Sequence, residues 1–169
     1  MKRILLVIFT LCASAAWGQF QSASMEIDGL TCSMCQLGVQ RSIQKLDFIQ
    51  TVKVDLNTNV ASIEFKSKTP VNIGQLVKSV FDAGFSVRTL TVDFNFSESA
   101  YQSNTHFIFN NSTYHILNSN EDKPLSGLQS IRFVEKQFTE PDVYNRFKKT
   151  IENKLSNNPI KDYQYFVLK

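Results

Sequence analysis

An α+β fold, a four-stranded antiparallel sheet carrying two helices on one face and followed by a second small β-rich α+β domain, is predicted by three observations. Cys35 to Leu46 and Ile73 to Ala83 place apolar residues at helical spacing. Short alternating runs such as Val52, Val54, Leu56 and Ala61, Ile63, Phe65 flank those helices as strands. Beyond Phe94 the chain changes character and becomes dense in Phe, Tyr, Asn and Ser as far as Asn120. A length of 169 residues has room for two small domains, and 43% hydrophobic against 20% charged residues excludes a disordered or low-complexity chain.

The first eighteen residues read as an export signal. Met1-Lys2-Arg3 is a basic start, Ile4 to Ala13 is apolar apart from Thr10, and Ser14, Ala15, Ala16 and Gly18 supply small residues before a cleavage point. As a helix, Ile4 to Trp17 reaches only about 21 Å, short of the roughly 30 Å hydrocarbon core of a bilayer. Cleavage after Ala15 or after Gly18 satisfies the small-residue rule, and Gly18 is preferred, giving an exported product, periplasmic in a Gram-negative cell. No later segment is apolar for long enough to span, so no membrane span is expected in the mature chain. Losing Lys2 and Arg3 takes the 18 basic residues to 16 against 15 acidic ones, a net charge of +1. That balance, with no Lys/Arg block, excludes a nucleic-acid-binding face.

Residues 19–93 form the first predicted domain. Ser22 to Ile27 is strand-like, Asp28-Gly29 is a turn, and Cys35, Val39, Ser42, Ile43 and Leu46 mark one stripe of the first helix. Two strands follow, joined by a turn at Asn57-Thr58-Asn59. Pro70 precedes the second helix, with Ile73, Leu76, Val77, Val80 and Ala83 on one face and Gly84 as its stop. Phe85 to Phe94 alternates as the closing strand. The order βαββαβ is that of a ferredoxin-like sandwich.

Residues 94–169 form the second predicted domain. A weak strand pattern lies around Phe94 to Tyr101, and Thr105 to Asn110 with Thr113 to Asn118 reads as a hairpin. Ser130 to Phe138 and Asp162 to Leu168 read as further strands. Between them Pro141 opens a helix capped by Thr139, with Val143, Phe147, Ile151 and Leu155 at four-residue intervals. Phe94, Phe96, Phe107, Phe109, Tyr114, Phe133 and Phe138 are expected in the core, and Tyr163, Tyr165 and Lys148-Lys149 on a solvated face.

Chemistry concentrates at one place. Of three cysteines, Cys12 lies in the export segment, leaving Cys32 and Cys35 two residues apart. Such a pair closes almost no loop and contributes little as a staple. A turn before a helix sets both thiols at the helix N-terminus, where unpaired amides favour the thiolate. Two soft sulfurs with no nearby His suit Cu(I), with Ag(I) or Hg(II) as chemical mimics; Zn(II) wants four ligands and would lack two.

The segment Met25-Glu26-Ile27-Asp28-Gly29-Leu30-Thr31-Cys32-Ser33-Met34-Cys35 resembles the start of the heavy-metal-associated domain, whose usual pattern is G-M-T-C-x-x-C. The resemblance covers residues 22–93 and implies a metal-binding module related to copper chaperones, copper-exporting ATPase modules and periplasmic mercury-binding proteins. It implies Cys32 and Cys35 as the metal ligands, and a partner protein with a similar thiolate site that receives the metal by ligand exchange. Gly29 is expected to turn the backbone, Leu30 to anchor the loop in the place of the usual Met, and Thr31 to cap the helix; Ser33 and Met34 lie between the ligands. Thr31 stands where zinc and cadmium relatives often carry Asp, which favours a monovalent ion. Phe85 is expected to shield the metal, as aromatics do in bacterial and ATPase modules, or to serve as ordinary core. A C-x-x-C at a helix start also suits a thiol-disulfide oxidoreductase, yet no aromatic-C-x-P-C setting or thioredoxin order is present. The remaining alternative is an interaction module with an inert disulfide.

The two histidines, His106 and His115, lie on the arms of the hairpin. A loop at Asn111-Ser112 pairs His106 with Leu117 and His115 with Ile108, setting the rings diagonally on one face and marking a candidate second copper site. No catalytic triad, carboxylate pair or phosphate loop is present, and the chain is not expected to be an enzyme.

Overall fold

The computed structural model describes residues 19–96, 101–103, 106–110, 112–118, 125–156 and 163–168. The expected export segment lies outside them. The first half runs β1 (Gln19–Asp28), α1 (Ser33–Gln44), β2 (Ile49–Asp55), β3 (Val60–Phe65), α2 (Ile73–Asp82) and β4 (Ser86–Phe96). β1 lies between β3 and β4, antiparallel to both, and β2 pairs with β3, which is the ferredoxin-like arrangement. Each helix buries the face its sequence marks: Val39 and Ile43 from α1, Ile73, Leu76, Val77 and Val80 from α2. They meet Met25, Ile27, Ile63 and Leu90 from the sheet. Ser42 Oγ donates to the Ser79 carbonyl at 2.7 Å and fixes one helix against the other.

The second half adds β5 (Tyr101–Ser103), β6 (His106–Phe109), β7 (Ser112–Ile116), β8 (Gly127–Phe133), α3 (Pro141–Ser156) and β9 (Tyr163–Leu168). These strands extend the same sheet, whose order is β2-β3-β1-β4-β8-β9-β7-β6-β5. The junction is β4 with β8, antiparallel from Thr91↔Arg132 to Phe96↔Gly127. The division expected between residues 93 and 94 therefore falls inside β4. Aromatic rings bind the halves together. Phe94 meets Phe20 at 4.9 Å and Phe107 at 5.1 Å between ring centres, and Phe107 stacks on Tyr114 at 4.7 Å. All four rings belong to one buried cluster with the α1 and α2 contacts.

Neighbouring residues of β9 point to opposite faces. Val167 joins the large core, whereas Phe166 packs with Val134 and Ile151 of α3 in a second cluster. α3 thus covers the face opposite α1 and α2. Three expectations are corrected here. The strand expected over Ser130 to Phe138 ends at Phe133: the Val134 amide makes a last bond to its register neighbour, the Phe166 carbonyl, at 2.7 Å, and the chain then turns, the Glu135 carbonyl accepting the Phe138 amide at 3.2 Å. Thr139 does not cap α3: its hydroxyl accepts the Glu135 amide at 2.8 Å, and the Glu140 carbonyl takes the first helical bond, from Tyr144, at 3.0 Å. Tyr165 does not lie on a solvated face, since it is half-buried and stacks on Tyr114 at 5.2 Å. Among the described residues no helix is long and apolar enough to cross a membrane.

Candidate metal centre

The end of β1 and the start of α1 place both cysteines. Gly29 has φ +87°, a left-handed conformation that L side chains rarely adopt, and reverses the chain after Asp28. Leu30 then drops into the core at 4% exposure and pins the loop from below. Thr31, Cys32, Ser33 and Met34 are all exposed, Met34 to 73%. The Met34 thioether points away from the core, into solvent.

Thr31 does not cap the helix. Cys32 occupies the cap position in extended conformation, its carbonyl accepting the Gln36 amide at 3.0 Å and its Sγ accepting the Cys35 amide at 3.2 Å. The sulfur itself thus holds one of the helix's otherwise unpaired donors, the interaction that favours negative charge on it. No acidic residue lies in the first turn of α1 to oppose that charge. Cys35 is half-buried against the core, one turn further on. The two sulfurs stand at disulfide distance, with the Cα atoms 5.2 Å apart. Among the described residues no group of three or more His, Cys, Asp or Glu gathers as a metal site. Two sulfurs, as free thiolates, are a soft pair that suits an ion of low coordination number, whereas zinc takes four ligands.

Around the loop, Phe85 lies against Gly29: a Cβ built on Gly29 stands 3.6 Å from Phe85 Cδ1. Asp28 pairs with Arg88 at the loop's base. One supporting residue escapes sequence reasoning. Asn59, at φ +57° in the β2–β3 turn, accepts the Ile27 amide on its backbone carbonyl at 2.9 Å, and its side-chain amide nitrogen donates to the carbonyls of Leu30 and Leu56 at 3.1 and 3.2 Å. Only the left-handed preference of Asn in turns signals it, and that says nothing of the distant loop it braces.

The histidines lie elsewhere. Phe109 pairs with Ser112, with Asn110 at φ +48°, so the register shifts by two from the expected one. His106 stands directly opposite His115, not diagonal to it, and the rings are 6.2 Å apart between centres. β7 is four strands from β1, about 19 Å across the sheet at strand spacing.

The Heavy-metal-associated domain profile matches residues 24–86. The chain is 32% identical over 87 residues to the mercuric transport protein periplasmic component of Pseudomonas fluorescens, covering 50% of this chain and 93% of that protein. It is 32% identical over 63 residues to a copper-transporting ATPase of Helicobacter pylori, spanning 37% of this chain and only 8% of the ATPase. Among solved structures, oxidized MerP from Ralstonia metallidurans CH34 superimposes with a TM-score of 0.37 at 29% identity, over 41% of this chain and 99% of that one.

Proposed function

We infer the function from one premise: through residues 24–86 the chain belongs to the heavy-metal-associated domain family. We propose that it is an exported carrier that captures Cu(I) between Cys32 and Cys35 and hands it on, with Hg(II) and Ag(I) as ions the same sulfurs accept. The observation that carries this is the pair of sulfurs within one turn at an exposed helix start, one of them holding a helix amide. Export accords with the basic and apolar first eighteen residues and with a relative named as a periplasmic component.

Loading begins from the thiol form. A dithiol reductant breaks the Cys32–Cys35 bond, giving up two electrons and two protons as it closes its own disulfide. The two thiols so formed bind the ion as thiolates, releasing their protons to solvent. Exposure of residues 31–34 lets a partner's thiolate add as a third sulfur before Cys35 or Cys32 lets go. No bond within an organic substrate changes.

Anaerobic titration of the reduced full chain tests this, against a chelator that leaves only thiolate-strength sites loaded. One Cu(I) per chain is expected, lost at least a hundredfold in affinity in Cys32→Ser/Cys35→Ser; equal affinity in the two proteins overturns the reading. Competition between Cu(I) and Hg(II) in the same assay ranks the cargo. The disulfide favours a second reading, thiol-disulfide exchange. Catalytic turnover of a disulfide substrate that Cys35→Ser abolishes would establish it.

A further inference from the structure

We propose that His106 and His115 form a second metal site, two imidazoles from adjacent strands that grip one monovalent d10 ion, Cu(I) or its redox-inert counterpart Ag(I). The hairpin turn sets the register. Because Phe109 pairs with Ser112, His106 and His115 are direct cross-strand partners and their side chains leave the sheet on the same face. That is the face α3 covers, since His115 pairs in register with Phe166 of the second cluster.

The ring separation leaves room for one shared ion. A nitrogen–metal bond of about 2.0 Å puts the metal about 3.2 Å from a ring centre, so two rings sharing one ion have centres about 5 Å apart at a tetrahedral angle and about 6.5 Å apart when linear. The observed 6.2 Å lies toward the linear end. Two-coordinate binding is the habit of monovalent d10 ions, while Zn(II) again lacks two ligands and Cu(II) seeks a tetragonal set. His115 is held before any ion arrives: it is buried to 6% exposure and stacks on Phe166 at 5.2 Å and 21°. His106 is half-buried, so the pair is open to solvent on its side. A ligand already held in place lowers the ordering cost of binding.

The site is independent of the cysteines, and so is its test. The chain contains only two histidines, so their ring resonances report without ambiguity. The chain from Gln19 onward, which lacks Cys12, carrying Cys32→Ser/Cys35→Ser is titrated with Ag(I) in nitrate buffer and followed by imidazole nitrogen NMR. Both rings are expected to shift together and saturate at one Ag(I) per chain. His106→Ala should weaken that binding at least tenfold and leave the His115 ring unmoved; His106→Gln serves if the alanine variant fails to fold. Rings unmoved by saturating Ag(I), a single ring moving alone, or silver affinity unchanged without His106, as binding at Met34 would give, each overturns the proposal.

Discussion

Glu135 provides a quantitative test of how the second half is packed. It follows Val134 at the end of β8, and its Oε1 accepts the Phe166 amide of β9 at 3.4 Å. Burial pushes its carboxyl up to about 7, against an ordinary 4.5, and the Phe166 amide offsets only part of that. Below about pH 4.5 the folded and unfolded chains both carry the proton, and Glu135 is neutral to stability. Between 4.5 and 7 the folded state keeps a proton that the unfolded state has released, so stability falls as pH rises, and above 7 the cost is complete. At about 1.4 kcal/mol per pKa unit the ceiling is about 3 kcal/mol, and solvent screening at a half-buried position reduces it to about 1–2 kcal/mol. Glu135→Gln keeps the acceptor for the Phe166 amide and removes the titration. Urea unfolding at pH 5, 6, 7 and 8 should show the parent losing about 1–2 kcal/mol more than the variant across that range. The two histidines are present in both proteins and cancel in the difference. Parallel curves for parent and variant would refute the placement of Glu135 in an apolar setting.

Three further substitutions read the fold directly. Gly29→Ala meets only ordinary contact with Phe85, so its cost is backbone strain alone, about 1–2 kcal/mol by thermal or urea unfolding, whereas Gly38→Ala, on an open face of α1, should stabilise by up to about 1 kcal/mol. Phe94→Ala removes a fully buried ring that touches Phe20, Phe96, Phe107 and Phe109 across the junction, and should cost about 3–5 kcal/mol. Calorimetry of the parent should show one transition for the whole sheet, and two transitions with Phe94→Ala lowering only one would contradict a shared core.

Much of the first half was legible because its signals are local. Val52 and Val54, or Ala61, Ile63 and Phe65, alternate along strands with one buried face, and the core stripe of α2 is complete within ten residues. The cysteine pair was legible for the same reason, its spacing and its turn being contiguous. What escaped depends on distant partners or on a choice between near-equal local options. Cys32, not Thr31, caps α1, since sulfur is a weak acceptor and the hydroxyl beside it is the usual choice. Asn59 braces Leu30 across a gap of twenty-nine positions that no periodicity encodes. The hairpin offered Asn110-Asn111 and Asn111-Ser112 as rival loops, and only the strand pairing decides between them. Phe85 to Phe94 read as the closing strand of the first domain because a strand with an unseen neighbour has the same alternation as one that ends a sheet.

The way the sheet grows bears on the metal centre. β4 starts beside Phe85, at the end of the sheet where the cysteine loop lies, and its first five residues, Ser86–Leu90, pair only with β1 among the described strands. Its pairing with β8 begins at Thr91 and runs away from that end, to Phe96. The added strands also approach α2 at its N-terminal end, where Tyr165 Oη stands 3.6 Å from a Cβ built on Gly74, and not at the Gly84 end that leads to Phe85. Attachment at the far end enlarges the core through Phe94 and Phe96 while leaving Thr31 to Met34 exposed. A carrier that releases its ion to another protein needs that access, because an incoming thiolate must reach the metal before the outgoing one departs. A second half that had instead extended β4 from Ser86 would have set a neighbouring strand beside Phe85 and narrowed the approach to both sulfurs.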